Sequence, residues 1–228
     1  MQPHLADKML DYLDDNKNSN KPFFLYMALT APHIPLFPSK EFKGKSRIGD
    51  YGDLVMMIDD IVGRVNRKLK EIGKYDDTIV MFAADNGCAG YINMDKINRK
   101  GHYPSYIYRG YKSHGWEGGH RIPFILSWGD RYGHVTDNSL VSLTDLYATF
   151  ADMLGYRTAD DEAEDSFSFW PILDGSGSSA RTDLIATSGA GYFTYRTPQY
   201  KLIFNAGNGS GDEYRIDGQP PLQFYDMV

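Results

Sequence analysis

Three short apolar runs constrain this chain more than any other feature: residues 23–29 (FFLYMAL), 78–84 (TIVMFAA) and 122–128 (IPFILSW). Each has strand length and little polar interruption, the pattern of a strand buried on both faces. Between the first two lies 50–72, where Leu54, Ile58, Ile61, Val62, Val65 and Leu69 recur at intervals of three and four. That spacing predicts a long amphipathic helix, ended by Gly73. Helices alternating with buried strands imply a parallel sheet, so the fold class expected is α/β, a sheet of the three runs flanked by helices. A second flanking helix is expected over 140–154, where Val141, Leu143, Leu146, Tyr147, Phe150, Met153 and Leu154 share a face, and Leu5, Met9, Leu10 and Leu13 predict another over 5–15. After a polar, acidic linker at 158–166 the pattern changes to short runs at 184–187, 192–196 and 200–204, separated by Gly- and Pro-containing turns. These read as a small antiparallel sheet. The expected division is an α/β domain over 1–157 and a small α+β subdomain over 158–228.

Composition removes several function classes. Lys and Arg number 24 against 30 Asp and Glu, a formal net charge of −6, so no basic field tracks a phosphate backbone and no nucleic acid partner is expected. The longest stretch free of these four residues, 22–39, is about the length of a membrane span, but Pro22, Pro32, Pro35 and Pro38 interrupt it. No membrane partner is expected either. Cys88 is the single cysteine, which leaves no internal disulfide and no multi-cysteine zinc cluster. The first twenty residues have neither a basic n-region nor an apolar h-region, so they are not expected to be an export signal. The compartment is not readable from this chain.

Chemistry-bearing residues gather where the apolar runs end. Asp85 and Asn86 follow the second run, the place where open α/β sheets hold ligands, and offer the hard oxygen donors that Ca²⁺ or Mg²⁺ takes. Two donors are only part of the roughly 6–8 that calcium wants, and an Asn-Gly turn is the simpler reading of the dipeptide alone. His33 follows the first run in an Ala-Pro-His-Ile-Pro loop, where flanking prolines can aim an imidazole, although a lone histidine is also a common surface residue. If the strands are parallel, His33 and Asp85 open on one sheet edge. Residues 88–121 hold seven glycines or prolines and three histidines without a sustained period, a long irregular segment of the functional kind. It leads into 112–123 (KSHGWEGGHRIP). There Lys112 can supply a cation to an anionic substrate, while Glu117 and Arg121 read as a structural ion pair fixing the loop. Asp59 and Asp60 lie within the helical pattern and read as a solvated face.

Taken together, FFLY leading to APHIP (31–35), the run ending in Asp85-Asn86-Gly87, and Lys112 through WEGGHRIP resemble the sulfatase family of the alkaline phosphatase superfamily. Residues 49–73, SLTDLY (142–147), Tyr195-Arg196, YKLI (200–203) and LQFYDM (222–227) resemble further parts of it, so the likeness runs through nearly the whole chain. It implies part of an alkaline-phosphatase-like sheet flanked by helices, followed by a C-terminal antiparallel α+β subdomain.

By the same resemblance, Asp85 and Asn86 are metal ligands for Ca²⁺ or Mg²⁺, His33 contacts the leaving-group oxygen or the sulfate, and Lys112 binds the sulfate. The substrate would be a sulfated small molecule or carbohydrate. The family's paired N-terminal aspartates and its Cys- or Ser-x-Pro-x-Arg motif, whose first residue becomes the formylglycine nucleophile, are absent from this sequence. Cys88 is not followed by x-Pro-x-Arg. The expectation is therefore the C-terminal portion of a sulfatase, inactive alone, whose parent would be periplasmic or secreted. Two alternatives stay open: a non-catalytic sulfatase-like module, and a phosphodiesterase or phosphonate hydrolase of the same superfamily.

Overall fold

Helix α1 (Gln2–Asp15) carries Pro3 in its first turn, where a missing N–H costs no hydrogen bond, and buries Ala6 and Leu13. Helix α2 (Asp50–Glu71) opens with Asp50 and Asp53 and closes with Lys68 and Lys70, each sign at the helix end whose dipole it complements. Of the expected stripe, Leu54, Ile58, Ile61 and Leu69 are buried and Val62 and Val65 half-buried, and Met57 is buried as well. Ala6, Leu54, Met57 and Ile61 form an apolar cluster against which Met27, Leu29, Leu36 and Phe42 pack. Each fully buried Leu or Ile there contributes about 1.5–3 kcal/mol. Asp53 is buried at the start of α2, where its carboxylate accepts from Gly44 N (2.7 Å) and Ser46 N (2.8 Å). Burial alone would raise its pKa; the Ser46 and Gly44 amides outweigh that and hold it below the usual carboxylate range.

The structure is a computed structural model that describes residues 1–211 and 222–227. It divides into two units interleaved in sequence. The first, with the helices above, comprises Met1–Asp85, Ala89–Ile107 and Ile122–His134, and the second Asn86–Cys88, Tyr108–Arg121 and the described residues from Val135 onward. The first unit also holds β1 (Ile79–Ala83), α3 (Met94–Asn98) and β2 (Phe124–Trp128). No helix among the described residues is long and apolar enough to cross a membrane.

Two expectations about this unit are corrected. β1 and β2 pair antiparallel, Ile79 opposite Trp128 and Ala83 opposite Phe124, not parallel. Parallel neighbours need a crossover, usually a helix; between these strands lie only short helical turns, so nothing returns the chain in the same direction. Residues 23–29 form no strand. Their burial alternates: Phe23, Leu25, Met27 and Leu29 are half-buried, whereas Phe24 (75 % exposed) and Tyr26 (80 %) face solvent. An apolar run specifies what is buried but not a ladder partner, and no described strand pairs with this one. The parallel-strand argument for bringing His33 and Asp85 to one edge lapses with both corrections.

The second unit contains α4 (Glu117–His120), α5 (Leu146–Met153), α6 (Trp170–Asp174) and four strands, β3 (Leu184–Thr187), β4 (Phe193–Arg196), β5 (Tyr200–Ile203) and β6 (Gln223–Asp226). The strands form one sheet in sequence order, every pair antiparallel, as the turn-separated runs predict. The helix expected from 140 begins later, because Ser142 and Asp145 make a capping box over the 3₁₀ turn Leu143–Asp145. Asp145, 0 % exposed, also receives two bonds from Arg181, at 2.9 and 2.6 Å, and one from Phe167 N at 3.0 Å. Arg181 spends its remaining donors on the Asp183 and Asp165 carbonyls. This buried, fork-shaped pair ties the capped turn to the segment before β3.

Candidate functional site

Two candidate residues lie in the first unit. His33 stands between Pro32 and Pro35, both preceded by cis peptide bonds. Its Nδ1 lies 2.8 Å from Ile34 O. A carbonyl oxygen only accepts, so Nδ1 carries the hydrogen and the neutral ring presents the lone pair of Nε2. The ring meets the edge of Tyr91 at 5.7 Å, and the Tyr91 hydroxyl accepts from Ile34 N at 3.4 Å, so one tyrosine touches both the imidazole and its backbone. The side chain is exposed. Asp85, just past β1, is exposed as well, and no hydrogen bond or ion pair links it to His33.

The other two candidates, Asn86 and Lys112, lie in the second unit, and their segments are joined directly. Gly87 N donates to Gly119 O (3.0 Å) and Lys112 N donates to Cys88 O (2.8 Å). The approach is so close that a Cβ on Gly87 would lie 1.8 Å from Gly118 O, and one on Gly118 would lie 2.1 Å from Gly110 O. Only glycine fits at either position, which is the physical reason for the glycines in these motifs. Asn86 Nδ2 donates to Gly87 O (3.0 Å), which leaves the amide oxygen Oδ1 as the side chain's acceptor atom. The Lys112 ammonium makes no hydrogen bond or ion pair among the described residues.

The loop carrying Lys112, Tyr108–Arg121, rests on all four strands of the second unit. His120 Nε2 donates to Thr187 O on β3 (3.0 Å), and Trp116 Nε1 donates to Gln223 Oε1 on β6 (2.9 Å). Gly115 sits close to Thr194 of β4 and Ile203 of β5. Glu117 pairs with Lys201 of β5 at 2.8 Å and with Arg196 of β4 at 3.7 Å. The expected Glu117–Arg121 contact exists at 3.8 Å, with Arg121 half exposed, so the sequence reading named the weaker partner. Burial would raise the Glu117 pKa; Lys201 first and Arg196 next reverse that and keep it below the ordinary glutamate range. Burial, reinforced by Lys201, holds His120 below the ordinary histidine value, so it is neutral near pH 7. Its Nδ1, buried, has no hydrogen-bond partner among the described residues. His114 is structural: its Nδ1 accepts from Tyr111 N and its ring lies tilted against that of Tyr111, centroids 4.1 Å apart.

As a metal centre, Asp85 and Asn86 offer the right kind of donor, hard oxygens, but only two of the roughly 6–8 that calcium takes. Among the described residues no group of three or more His, Cys, Asp or Glu is arranged to hold an ion. Asp59 and Asp60 sit on α2, and Asp60 faces Arg67 at 3.7 Å, in keeping with a solvated helix face.

The family model for sulfatases matches residues 3–156. An arylsulfatase from Hemicentrotus pulcherrimus is 33% identical over 223 residues, 96% of this chain and 39% of its own length. An N-acetylgalactosamine-6-O-sulfatase from Bacteroides thetaiotaomicron is 34% identical over 165 residues, 71% of this chain and 32% of its own. Among solved structures, a Bacteroides thetaiotaomicron sulfatase described in connection with the metabolism of multiple glycosaminoglycans superposes with a TM-score of 0.83 at 28% identity, covering 97% of this chain and 47% of that one. The PsFucS1 sulfatase from Pseudoalteromonas sp. gives 0.75 at 26% identity, covering 98% and 44%. This chain thus spans less than half the length of these relatives, and its α/β architecture with a C-terminal sheet is alkaline-phosphatase-like. The chain belongs to the sulfatase family.

Proposed function

We propose that this chain is the C-terminal portion of a metal-dependent sulfuric ester hydrolase, inactive by itself because the formylglycine nucleophile and the rest of the metal shell belong to sequence outside it. The observation that carries the reading is the glycine-to-glycine clamp that locks the Asn86 turn to the Lys112 loop, so that an amide oxygen donor and a lysine with no anionic partner among the described residues sit on two directly joined segments. That combination suits a tetrahedral, multiply charged oxyanion.

The roles follow from the groups. Hydrolysis of a sulfate ester places charge on the sulfuryl oxygens and on the departing alkoxide. Lys112 neutralises part of the former. His33 serves the latter, and its geometry constrains how: with Nδ1–H committed to Ile34 O, only the imidazolium can donate from Nε2, whereas the neutral ring accepts there. Asp85 and Asn86 would hold a divalent ion, Ca²⁺ or Mg²⁺, through carboxylate and amide oxygens. When bound, that ion supplies electrostatic stabilisation to the sulfuryl oxygens. The substrate class we favour is a sulfated carbohydrate, by extension from the relatives named for N-acetylgalactosamine-6-sulfate, with aryl sulfates as surrogates.

The test compares the purified chain with the longer protein containing it, on an aryl sulfate and on the matching aryl phosphate. We expect turnover of the sulfate by the longer protein and none by this chain. Multiple turnover by the chain alone would overturn the assignment of the nucleophile, and preference for the phosphate would favour a phosphoryl-transfer relative.

A further inference from the structure

The C-terminal sheet does more for the Lys112 loop than cover it. Lys201 is an inward-facing cation on β5, its side chain only 3% exposed, and its ammonium meets Glu117, itself 14% exposed, at 2.8 Å. Arg196, on the neighbouring strand, adds a second cation at 3.7 Å. Tyr195 opposes Leu202 and Arg196 opposes Lys201 in the ladder, so the two cations stand side by side on one face. Like charges directly opposite on a sheet are unfavourable, and Glu117 is the anion that relieves them. The loop is therefore drawn onto the sheet by a specific electrostatic demand of the sheet itself.

Glu117 opens α4, and the next two residues are the glycines against which the Asn86 turn packs. Gly118 N donates to Arg109 O (2.8 Å), and Gly119 O receives Gly87 N. A chain of direct contacts thus runs from Lys201 and Arg196 through Glu117 to Gly118-Gly119, then to Gly87-Cys88, and through Cys88 O to the backbone of Lys112.

We propose that Lys201 and Arg196 are positioning residues for Lys112 and Asn86, acting through Glu117. The role given to Lys112 rests on the functional reading above, whereas the mechanical coupling does not. Removing the Lys201 charge leaves Glu117 buried with one cation at longer range and Arg121 at the rim, so α4 lifts and the two hydrogen bonds of the clamp open.

The test uses hydrogen exchange on this chain, comparing wild type with Lys201→Met and Glu117→Gln. The reporters are the Gly87 and Lys112 amides, which close the clamp. The controls are Phe204 N, bonded to Phe193 O where β4 and β5 close, and Phe167 N, bonded to Asp145. We expect protection at Gly87 and Lys112 to fall at least about tenfold, as for a broken buried ion pair, with the controls unchanged and Lys201→Arg restoring most of it. Equal loss at reporters and controls would show that Lys201 stabilises the unit generally, and unchanged reporters would show no coupling; either overturns the proposal. Should Lys201→Met fail to fold, Glu117→Gln, which keeps the side-chain shape, reads the same amides. Titrating inorganic sulfate while observing the Lys112 ammonium separates the two readings. No response in the wild type defeats sulfate binding by Lys112, while the exchange data still decide the coupling.

Discussion

The α1–α2 layer and the C-terminal sheet are held by different forces. In the former, Ala6, Leu54, Met57 and Ile61 make an apolar core whose strength is area removed from water. In the sheet and the capped turn and helix that precede it, the buried set includes Asp145, Thr149, Arg181, Ser188, Thr194, Lys201 and Asn205, groups that stabilise only when their hydrogen bonds and charges are matched. The contrast teaches where tolerance lies. An apolar core accepts substitutions of similar shape, whereas a buried polar network fails when one partner is lost. The proposed sulfate-binding loop rests on the second kind of region.

The largest expected effect is Arg181→Met. It strands a fully buried Asp145 with only backbone donors and should cost about 3–5 kcal/mol of the second unit's stability in chemical denaturation. If the loss is below about 1 kcal/mol, the polar network is not what holds this region. Ile61→Ala in the helical layer should cost about 2–4 kcal/mol, as for a partly collapsible apolar cavity, and Ile61→Val under about 1.5 kcal/mol. A larger cost for the valine would blur the comparison.

The smallest effect is on pH, and its sign is set by proton uptake. His120 has a folded pKa below its unfolded value of about 6.5, so the unfolded chain takes up the proton first as pH falls. The associated stability is complete above about 6.5 and declines between there and the lower folded value. Glu117, also depressed, contributes above its unfolded value of about 4.3 and loses that contribution as pH falls through the folded one. Acidification should therefore loosen the second unit in two stages, seen as rising amide exchange at Gly119, with the first stage absent in His120→Gln.

How much of this was legible depended on the range of the interaction. The stripe from Leu54 to Leu69 is local, and so were the turn-separated runs that became β3, β4 and β5. The pairing of Glu117 with Lys201 spans 84 positions, and no local pattern points to it, although a lysine inside the strand YKLI is a signal that something anionic faces it. The antiparallel register of β1 and β2 was hidden for the same reason, since an apolar run does not carry its partner's direction. Ser142 and Asp145 could have shortened the expected α5, because a Ser three residues before an acid is a helix start. Of the candidate site, the residue types around Gly87 and Gly118 were readable, while the backbone clamp joining them needed coordinates.

The most direct measurement of the central claim is kcat/KM for an aryl sulfate in the longer protein, wild type against Lys112→Ala. The account predicts a loss of about 10²–10³-fold, the scale for removing one group that stabilises developing charge, with folding unchanged by denaturation. A kcat/KM within about twofold of wild type would contradict the placement of Lys112 at the sulfate.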